Sequence, residues 1–268
     1  MAVTISEKTA QRRKNHLFVI LAAIFIANAI VAEIIGVKIF SAEKTLGWDP
    51  AQIKLLEGFV LDFNLTAGVI LWPVVFITTD VINEYFGKRG VKKITFIAVA
   101  LIAYVFVVLL IVTNLAPADF WLEVNSTDPE GNPFDMNYAF SKTMIQGMGI
   151  IVASLIAFLV GQFLDVFIFQ KLRKLTGAKV LWLRATGSTL VSQFIDSFVV
   201  LFIAFYILGD WSASQVASVG IINYIYKFLA AVVLTPLIYL AHYIIDRYLG
   251  KNMANRMMDR ASKDTALI

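Results

Sequence analysis

The chain has 268 residues, of which 59% are hydrophobic and 16% are charged, and its net charge is +4. Soluble domains carry about 25% charged residues, and the mean hydropathy of +0.77 is one that a soluble domain of this size does not show. The composition therefore excludes a soluble protein and predicts one compact membrane domain. The basic residues are confined to particular loops, so membrane topology explains them better than a nucleic-acid partner does.

Cysteine and histidine usage narrows the chemistry further. The chain has no cysteine, which excludes disulfides, thiolate metal sites and cysteine nucleophiles. His16 and His242 are its only histidines, and both are predicted near helix ends. A histidine-rich zinc site is therefore not expected, and we predict no metal and no other cofactor.

Long apolar segments define the fold class. A membrane-spanning helix needs about 20 predominantly apolar residues. By that measure the sequence predicts an all-α membrane protein of six transmembrane helices in a compact bundle, at about 17–40, 65–86, 94–115, 144–169, 185–208 and 216–245. They form a single domain over residues 17–245, between a basic N-terminus at 1–16 and a basic tail at 246–268. The first apolar run is too long for a signal peptide and lacks a clear cleavage site, so we expect it to be an uncleaved helix.

Basic residues alternate from one loop to the next along the chain. They are dense before the first helix, at 88–93, at 171–184 and in the tail, and they are sparse in the loops between. Basic loops mark the cytoplasmic side of a membrane protein. Both termini are therefore predicted in the cytoplasm, with the protein crossing the plasma membrane several times.

The two long loops predicted outside the membrane differ in character. Residues 41–64 contain an amphipathic piece at 53–60, which we expect to lie on the surface or to dip inward. Residues 117–142 are rich in Asp, Asn and Pro, with turn signals around Asp128 and Gly131. This second loop is predicted to be a solvated connector rather than a lid.

Polar residues interrupt the second apolar segment just before a basic loop. Asp80, Asn83 and Glu84 are spaced three and four residues apart, so they can share one face of a helix. A carboxylate within a bilayer is costly and usually faces a cavity or a partner. Asp80 is predicted near the inner end of such a cavity, whereas Glu84 is expected at the membrane interface.

The fifth and sixth apolar segments carry polar stripes of the same kind. Asp196 follows Gln193 by three residues, and Lys227 follows Asn223 by four. Asp196 and Lys227 are predicted at similar depth and can form a pair in the polar interior. On the fourth segment, Asp165 either joins this interior or forms an interfacial salt bridge with the basic residues that follow it.

A cavity lined by carboxylates, amides, a lysine and aromatic rings suits a small, flat, polar solute. A carboxylate can accept two hydrogen bonds from a ring N–H and an adjacent amino group, as on one edge of guanine. Trp72, Phe76 and Tyr226 could stack on such a ring, although aromatic residues on membrane helices more often serve packing or the interface. Periodicity alone does not identify the solute.

The motif Thr79-Asp80-Val-Ile-Asn83-Glu84-Tyr-Phe-Gly87, with its basic run, resembles the signature of the queuosine precursor transporters, a vitamin-uptake-transporter-like family. Gly161-Gln162-Phe-Leu-Asp165 and Asn223-Tyr-Ile-Tyr-Lys227 resemble its fourth and sixth helices. The resemblance implies a transporter rather than an enzyme, which takes up 7-deazaguanine precursors such as 7-cyano-7-deazaguanine and its aminomethyl relative. It implies a fold similar to the substrate-binding subunits of energy-coupling-factor transporters. The implied cavity residues are Asn28, Asp80, Gln162, Asp165, Gln193, Asp196, Asn223 and Lys227, with Glu84 ranked lower.

Two other readings stay open. The chain could be the substrate-binding subunit of a larger vitamin or nucleobase transporter, in contact with lipids and with a partner. Ala23-x-x-x-Ala27 is a small-residue surface suited to such a contact or to a homodimer. Alternatively, a buried serine beside Asp196 could act with Lys227 as an intramembrane hydrolase, because no histidine is expected in the core to serve as base. The serines concerned are Ser188, Ser192 and Ser197.

Overall fold

The computed structural model describes residues 7–36, 38–56, 59–145, 148–176, 180–207 and 211–263. In chain order its elements are α1 (Glu7–Ile35), β1 (Ile39–Ser41), α2 (Ala42–Thr45), β2 (Ile53–Leu56), β3 (Phe59–Leu61), β4 (Asn64–Thr66), α3 (Trp72–Thr113), α4 (Asp119–Val124), α5 (Met136–Ile145), α6 (Met148–Thr176), α7 (Leu181–Leu201), α8 (Ala213–Leu249) and α9 (Lys251–Ser262). A 3₁₀ turn precedes α3, and a π-helical turn extends α7. Each predicted membrane segment overlaps one of these helices.

The long apolar helices indicate a mainly helical, multi-pass membrane protein. Four helices of the described chain are long and apolar enough to cross a bilayer, and Leu190–Leu201 is a shorter apolar helix. The four are Lys8–Ile35, Trp72–Thr113, Ala153–Thr176 and Ala213–Leu249. The count of six spans and the cytoplasmic position of the termini stay predictions.

Helix α3 folds back on itself at Gly87, whose φ of 69° and ψ of −170° are not helical. In a continuous helix, residues eight positions apart are separated by about 12 Å along the axis. A Cβ atom on Gly90 would nevertheless lie 3.3 Å from Ile82 Cγ2. The predicted helices at 65–86 and 94–115 therefore correspond to the two arms of α3, residues 72–86 and 88–113.

Gly87 is expected to tolerate no side chain. Its backbone conformation is essentially restricted to glycine, and a Cβ atom would lie 3.2 Å from the carbonyl oxygen of Ala261. We expect Gly87→Ala to lower the free energy of unfolding by about 1–3 kcal/mol, measured by thermal unfolding in detergent. Gly131→Ala is the matched control, because Gly131 also has a positive φ but a Cβ atom added there would meet nothing within 4 Å. If both variants lost the same free energy of unfolding, crowding against Ala261 could not be the cause of the loss at Gly87.

A small β lobe occupies the first long loop. Strand β1 pairs antiparallel with β4, placing Ile39 opposite Thr66, and β2 pairs antiparallel with β3. The amphipathic piece at 53–60 thus contributes to a strand pair. The lobe brings the end of α1 close to the start of α3.

This lobe corrects two predicted helix ends. The first membrane helix was expected to reach residue 40 and the second to begin at residue 65, but α1 ends at Ile35 and α3 begins at Trp72. Pro73 lies in the first turn of α3, where its missing N–H removes no helical hydrogen bond. Apolar composition alone does not separate a strand next to the membrane from the helix that it joins.

Glu43 organises the β lobe from its interior. The side chain is 5% exposed, and its carboxylate accepts hydrogen bonds from the Phe63 N–H at 2.6 Å and the Ser41 hydroxyl at 2.9 Å. The backbone N–H of Phe63, followed by the smaller contributions of other hydrogen bonds, lowers the pKa of Glu43. The carboxylate therefore favours the folded lobe only while it is ionised.

The stability of the lobe should depend on pH through Glu43. Its pKa in the folded lobe lies below the value of 4.5 for an unperturbed glutamate. The stabilisation is therefore complete above about pH 4.5 and is lost as the pH falls through the folded-state pKa. We expect amide protection factors to fall in that range at Phe63 and at Ala51, whose N–H donates to the Glu43 carboxylate at 3.4 Å; hydrogen exchange measures both. In Glu43→Gln they should be lower and independent of pH, and an unchanged pH profile in that variant would contradict the assignment.

The second long loop contains two short helices and a tight turn. Helices α4 and α5 flank a turn in which Asp128 accepts hydrogen bonds from the N–H groups of Glu130 at 3.0 Å and Asn132 at 2.8 Å. The turn signals read around Asp128 are thereby confirmed. The Asn132 side chain also donates to Asp128, through Nδ2 at 3.0 Å. This bond is the largest cause that lowers the pKa of Asp128, and the backbone bonds add to it.

The beginning of α1 and the end of α8 lie at the same end of the bundle. Arg13 Nη1 donates to the carbonyl oxygen of Tyr248 at 2.9 Å, and Lys93 Nζ lies 5.9 Å from the centre of the Phe18 ring. We call this the basic end, after Arg13, Lys93 and the neighbouring Lys88. An even number of membrane crossings produces such an arrangement.

The predicted basic tail contains an amphipathic helix, and its cytoplasmic position stays a prediction. Helix α8 continues to Leu249, and after Gly250 the chain forms α9, which folds back onto the basic end. One face of α9 is buried, at Ala254, Met257 and Ala261. Ala254 and Met257 join an apolar cluster with Leu249 and other residues of the bundle.

Candidate functional site

Buried polar side chains line the interior of the bundle on α3, α6 and α7. They follow the three- and four-residue spacings of the sequence, so each helix turns a polar face inward. Such side chains are costly inside a membrane protein unless they have partners or bind a solute. The buried members include Thr79, Asp80, Asn83, Glu84, Gln162, Asp165, Gln170, Arg173, Ser188, Ser192, Gln193 and Ser197.

Asp80 lies at the centre of this polar interior. The residue is 2% exposed, and it interacts electrostatically with Asp165 and Glu84. Its Oδ1 atom has no hydrogen-bond partner among the described residues. A buried carboxylate oxygen without a donor is rare in folded proteins, so Asp80 provides an unused acceptor in the interior.

Polar contacts join α6 to its neighbours on either side of Asp80. The Thr79 hydroxyl lies 3.4 Å from Gln162 Oε1, and Gln170 Nε2 donates to Asn83 Oδ1 at 2.6 Å. On the other side, the Ser192 hydroxyl lies 3.3 Å from Asp165 Oδ1. The fold thus brings Asp80, Gln162 and Asp165 together, while their role as cavity residues stays a prediction.

Glu84 is not at a solvated helix end, contrary to expectation. It is 2% exposed, and its carboxylate lies 3.3 Å from Arg173 Nη2. Arg173 Nη1 also donates to the Glu84 carbonyl oxygen at 3.0 Å. Arg173 therefore pairs with Glu84, a partner that the sequence analysis did not propose.

The residues predicted on α7 and α8 are only partly described. Asp196 lies on α7, but its side chain falls outside the described part of the structure, so its pairing with Lys227 stays a prediction. Gln193 is buried, and within the described chain its Oε1 atom has no hydrogen-bond partner. Asn223 and Lys227 are half-buried on α8.

The remaining predicted residues lie on α1, α3 and α8. Asn28 donates through Nδ2 to the Ile24 carbonyl oxygen of its own helix at 2.8 Å. The rings of Trp72 and Phe76 stack on each other, with centroids 5.8 Å apart. Tyr226 is half-buried on α8. The Trp72 and Phe76 rings therefore form an aromatic wall at the start of α3, while their contact with a solute stays a prediction.

Two polar contacts were not assigned from the sequence. The Ser154 hydroxyl lies 2.8 and 2.9 Å from the two carboxylate oxygens of Glu33 and joins α6 to α1. Glu33 could have been found as a carboxylate within an apolar helix, but nothing in the sequence indicated its partner. This contact lies toward the end of the bundle opposite the basic end.

The second missed contact involves a histidine expected near a helix end. His242 is 9% exposed, and its Nδ1 lies 3.0 Å from the Tyr85 hydroxyl. The same hydroxyl donates to Asp246 Oδ1 at 2.7 Å. These side chains tie α3 to α8 near the basic end, so the core does contain a histidine.

Long apolar helices around a buried polar interior define the class of a multi-pass membrane protein. Residues 66–241 match a family described as putative vitamin uptake transporter. The chain belongs to this family, and it is a transporter rather than an enzyme. The reading as an intramembrane hydrolase is therefore set aside.

Three relatives are similar to most of the chain. A "Probable queuosine precursor transporter" of Bacillus subtilis is 30% identical over 194 residues, which are 72% of this chain and 77% of the relative. One with the same name from Haemophilus influenzae is 28% identical over 64% of this chain and 66% of its own length. The "Queuosine precursor transporter" of Escherichia coli is 28% identical over 65% of this chain and 71% of its own length. No solved structure matches the chain, so its likeness to energy-coupling-factor subunits stays a prediction.

Proposed function

We propose that this transporter imports 7-deazaguanine precursors of queuosine, such as 7-cyano-7-deazaguanine and 7-aminomethyl-7-deazaguanine, across the plasma membrane. The names of three relatives support this substrate class. The structural observation that carries the proposal is the buried Asp80 carboxylate, whose Oδ1 has no hydrogen-bond partner among the described residues. The basic end faces the cytoplasm, in accordance with the distribution of basic loops.

The chemistry of the interior suits a guanine-like edge. Such an edge presents a ring N–H beside an amino group, and a carboxylate can accept from both. Asp80 is the acceptor that we assign, because a ligand would satisfy an oxygen that is otherwise costly to bury. The other proposed contacts are Asn28, Gln162, Asp165, Gln193, Asp196, Asn223 and Lys227, with Trp72, Phe76 and Tyr226 against the ring faces.

A second candidate is a substrate-binding subunit that works with a partner, or a homodimer. The small residues Ala23 and Ala27 are both exposed on α1. Small residues four positions apart let another helix approach closely. This surface favours association but does not identify the partner.

Binding and uptake by the purified protein test both candidates. We expect thermal stabilisation and saturable binding with 7-cyano-7-deazaguanine and none with biotin or riboflavin, with guanine as the comparison for the ring alone. Tight binding of a vitamin without binding of the deazapurine would refute the substrate. Uptake by the protein alone in liposomes would exclude an obligatory partner, whereas binding without uptake would favour the subunit reading.

Asp196 and Lys227 are tested in the same assay. Asp196→Asn and Lys227→Met should each abolish binding of 7-cyano-7-deazaguanine without unfolding the protein, because both are proposed to contact the solute. Circular dichroism would check that the fold is kept. Normal binding in both variants would remove the two residues from the site.

A further inference from the structure

Helix α9 covers the basic end of the bundle. Its buried residues Ala254 and Met257 share an apolar cluster with Leu17 of α1, Tyr85 of α3 and Leu249 of α8. The opposite face is exposed and polar. An amphipathic helix buries its apolar face against the elements that it covers, and we call α9 the lid of the basic end.

Arg173 connects this lid to the polar interior. Its guanidinium group binds the Glu84 carboxylate and the Glu84 carbonyl oxygen, and it also donates through Nη2 to the Met258 carbonyl oxygen of α9. One buried side chain on α6 thus binds both α3 and α9. Arginine suits this task because its planar group presents several donors in fixed directions.

The Arg173–Glu84 pair contacts α9 on one side and interacts with Asp80 on the other. Glu84 follows Asp80 by four residues, a distance of about 6 Å along a helix, and the two carboxylates interact electrostatically. Just beside them, Gln170 bonds Asn83 at 2.6 Å. A solute held at Asp80 would therefore have to pass these contacts to leave through the basic end.

A buried ion pair is suited to a contact that must open. Desolvation of two charges offsets most of their attraction, so the closed state gains little from the pair itself. When α9 moves away, water can solvate both groups and replace the lost contacts. The same interior built from packed apolar residues would have no comparable hydrated state.

We propose that α9 and Arg173 form the cytoplasmic gate of the transporter, which must separate for the solute to be released. Arg173 is a positioning residue in this gate and is not a ligand of the solute. The proposal rests on the proposed direction of transport. It assigns a role in the transport cycle to a segment that the sequence analysis described only as a basic tail.

Thiol labelling tests the gate without any substrate. The chain has no cysteine, so Ser192→Cys introduces a single thiol beside Asp165. In inside-out vesicles, a membrane-impermeant methanethiosulfonate reagent reaches this thiol only through an open gate. We expect Met257→Gln and Arg173→Gln, each in the full chain, to accelerate labelling at least about tenfold, which corresponds to about 1.4 kcal/mol.

Matched controls separate a gate from a general loss of structure. Asn255→Gln places the same side chain on the exposed face of α9 and should leave the labelling rate unchanged. In right-side-out vesicles, labelling in the two gate variants should not accelerate. Equal rates in all variants, or acceleration from both sides of the membrane, would overturn the gate. Because labelling needs no solute, a failure to bind 7-cyano-7-deazaguanine would refute the proposed substrate and leave the gate standing.

Discussion

Asp80→Asn should weaken binding of 7-cyano-7-deazaguanine by about 10- to 150-fold, the loss expected when hydrogen bonds to a charged group are removed. The substitution keeps the size of the side chain but replaces one acceptor oxygen by a donor. The new amide N–H₂ would face the ring N–H and the amino group of the ligand, and both of these are donors that need an acceptor. Isothermal titration with the purified protein measures the effect.

Asp80→Asn should lose affinity for 7-cyano-7-deazaguanine without losing stability. Asp80 is 2% exposed, and a neutral amide costs no more to bury than a carboxyl group, so the substitution adds no penalty in the empty site. We therefore expect an unchanged or higher unfolding temperature, as is common when a strained functional group is removed. Asp62→Asn, in the β lobe, is the matched control and should leave binding intact. Normal binding in Asp80→Asn would exclude Asp80 from recognition.

Arg173→Met should lower the free energy of unfolding by about 3–5 kcal/mol, because it leaves Glu84 buried without its cation. The loss should be partly recovered in Arg173→Met/Glu84→Gln, which removes both charges together. Recovery will be incomplete, since the Met258 carbonyl oxygen still loses its donor. Chemical unfolding in detergent, carried out as a double-mutant cycle, measures the coupling.

The control for this cycle is an arginine at the surface. Arg247 is exposed on α8, and Arg247→Met should change stability by no more than about 0.5 kcal/mol. If the double variant is as unstable as the sum of its two single changes, the buried pair is not coupled. In that case Arg173 would stabilise the bundle through its carbonyl contacts alone.

The location of the polar interior was predictable because it depends on periodicity within single helices. Asp80 and Glu84, or Gln162 and Asp165, are three or four residues apart, and a helix places such residues on one face. The cost of burying them in an apolar segment then turns those faces inward. Asp80, Gln162, Asp165 and Gln193 were chosen by this argument together with the family resemblance, and all four are buried.

Partners between helices were less predictable. Glu84 was placed at the interface, yet it pairs with Arg173, 89 residues away in the chain. The contacts of Ser154 with Glu33 and of Tyr85 with His242 were likewise not predicted. Periodicity defines the polar face of a helix, but it leaves open the rotation and axial offset of two helices, which decide the atoms that meet.

By itself, the sequence determined the membrane class, the apolar segments, the alternation of basic loops and the family. Each of these follows from composition or from spacing within a short stretch, so no tertiary contact is needed. Only the tertiary structure decided that residues 39–41 and 64–66 pair as strands, that α3 reverses at Gly87, and that α9 lies on the basic end. These features depend on contacts between distant segments: a strand needs its partner strand, and an amphipathic helix shows an apolar face without showing what will cover it.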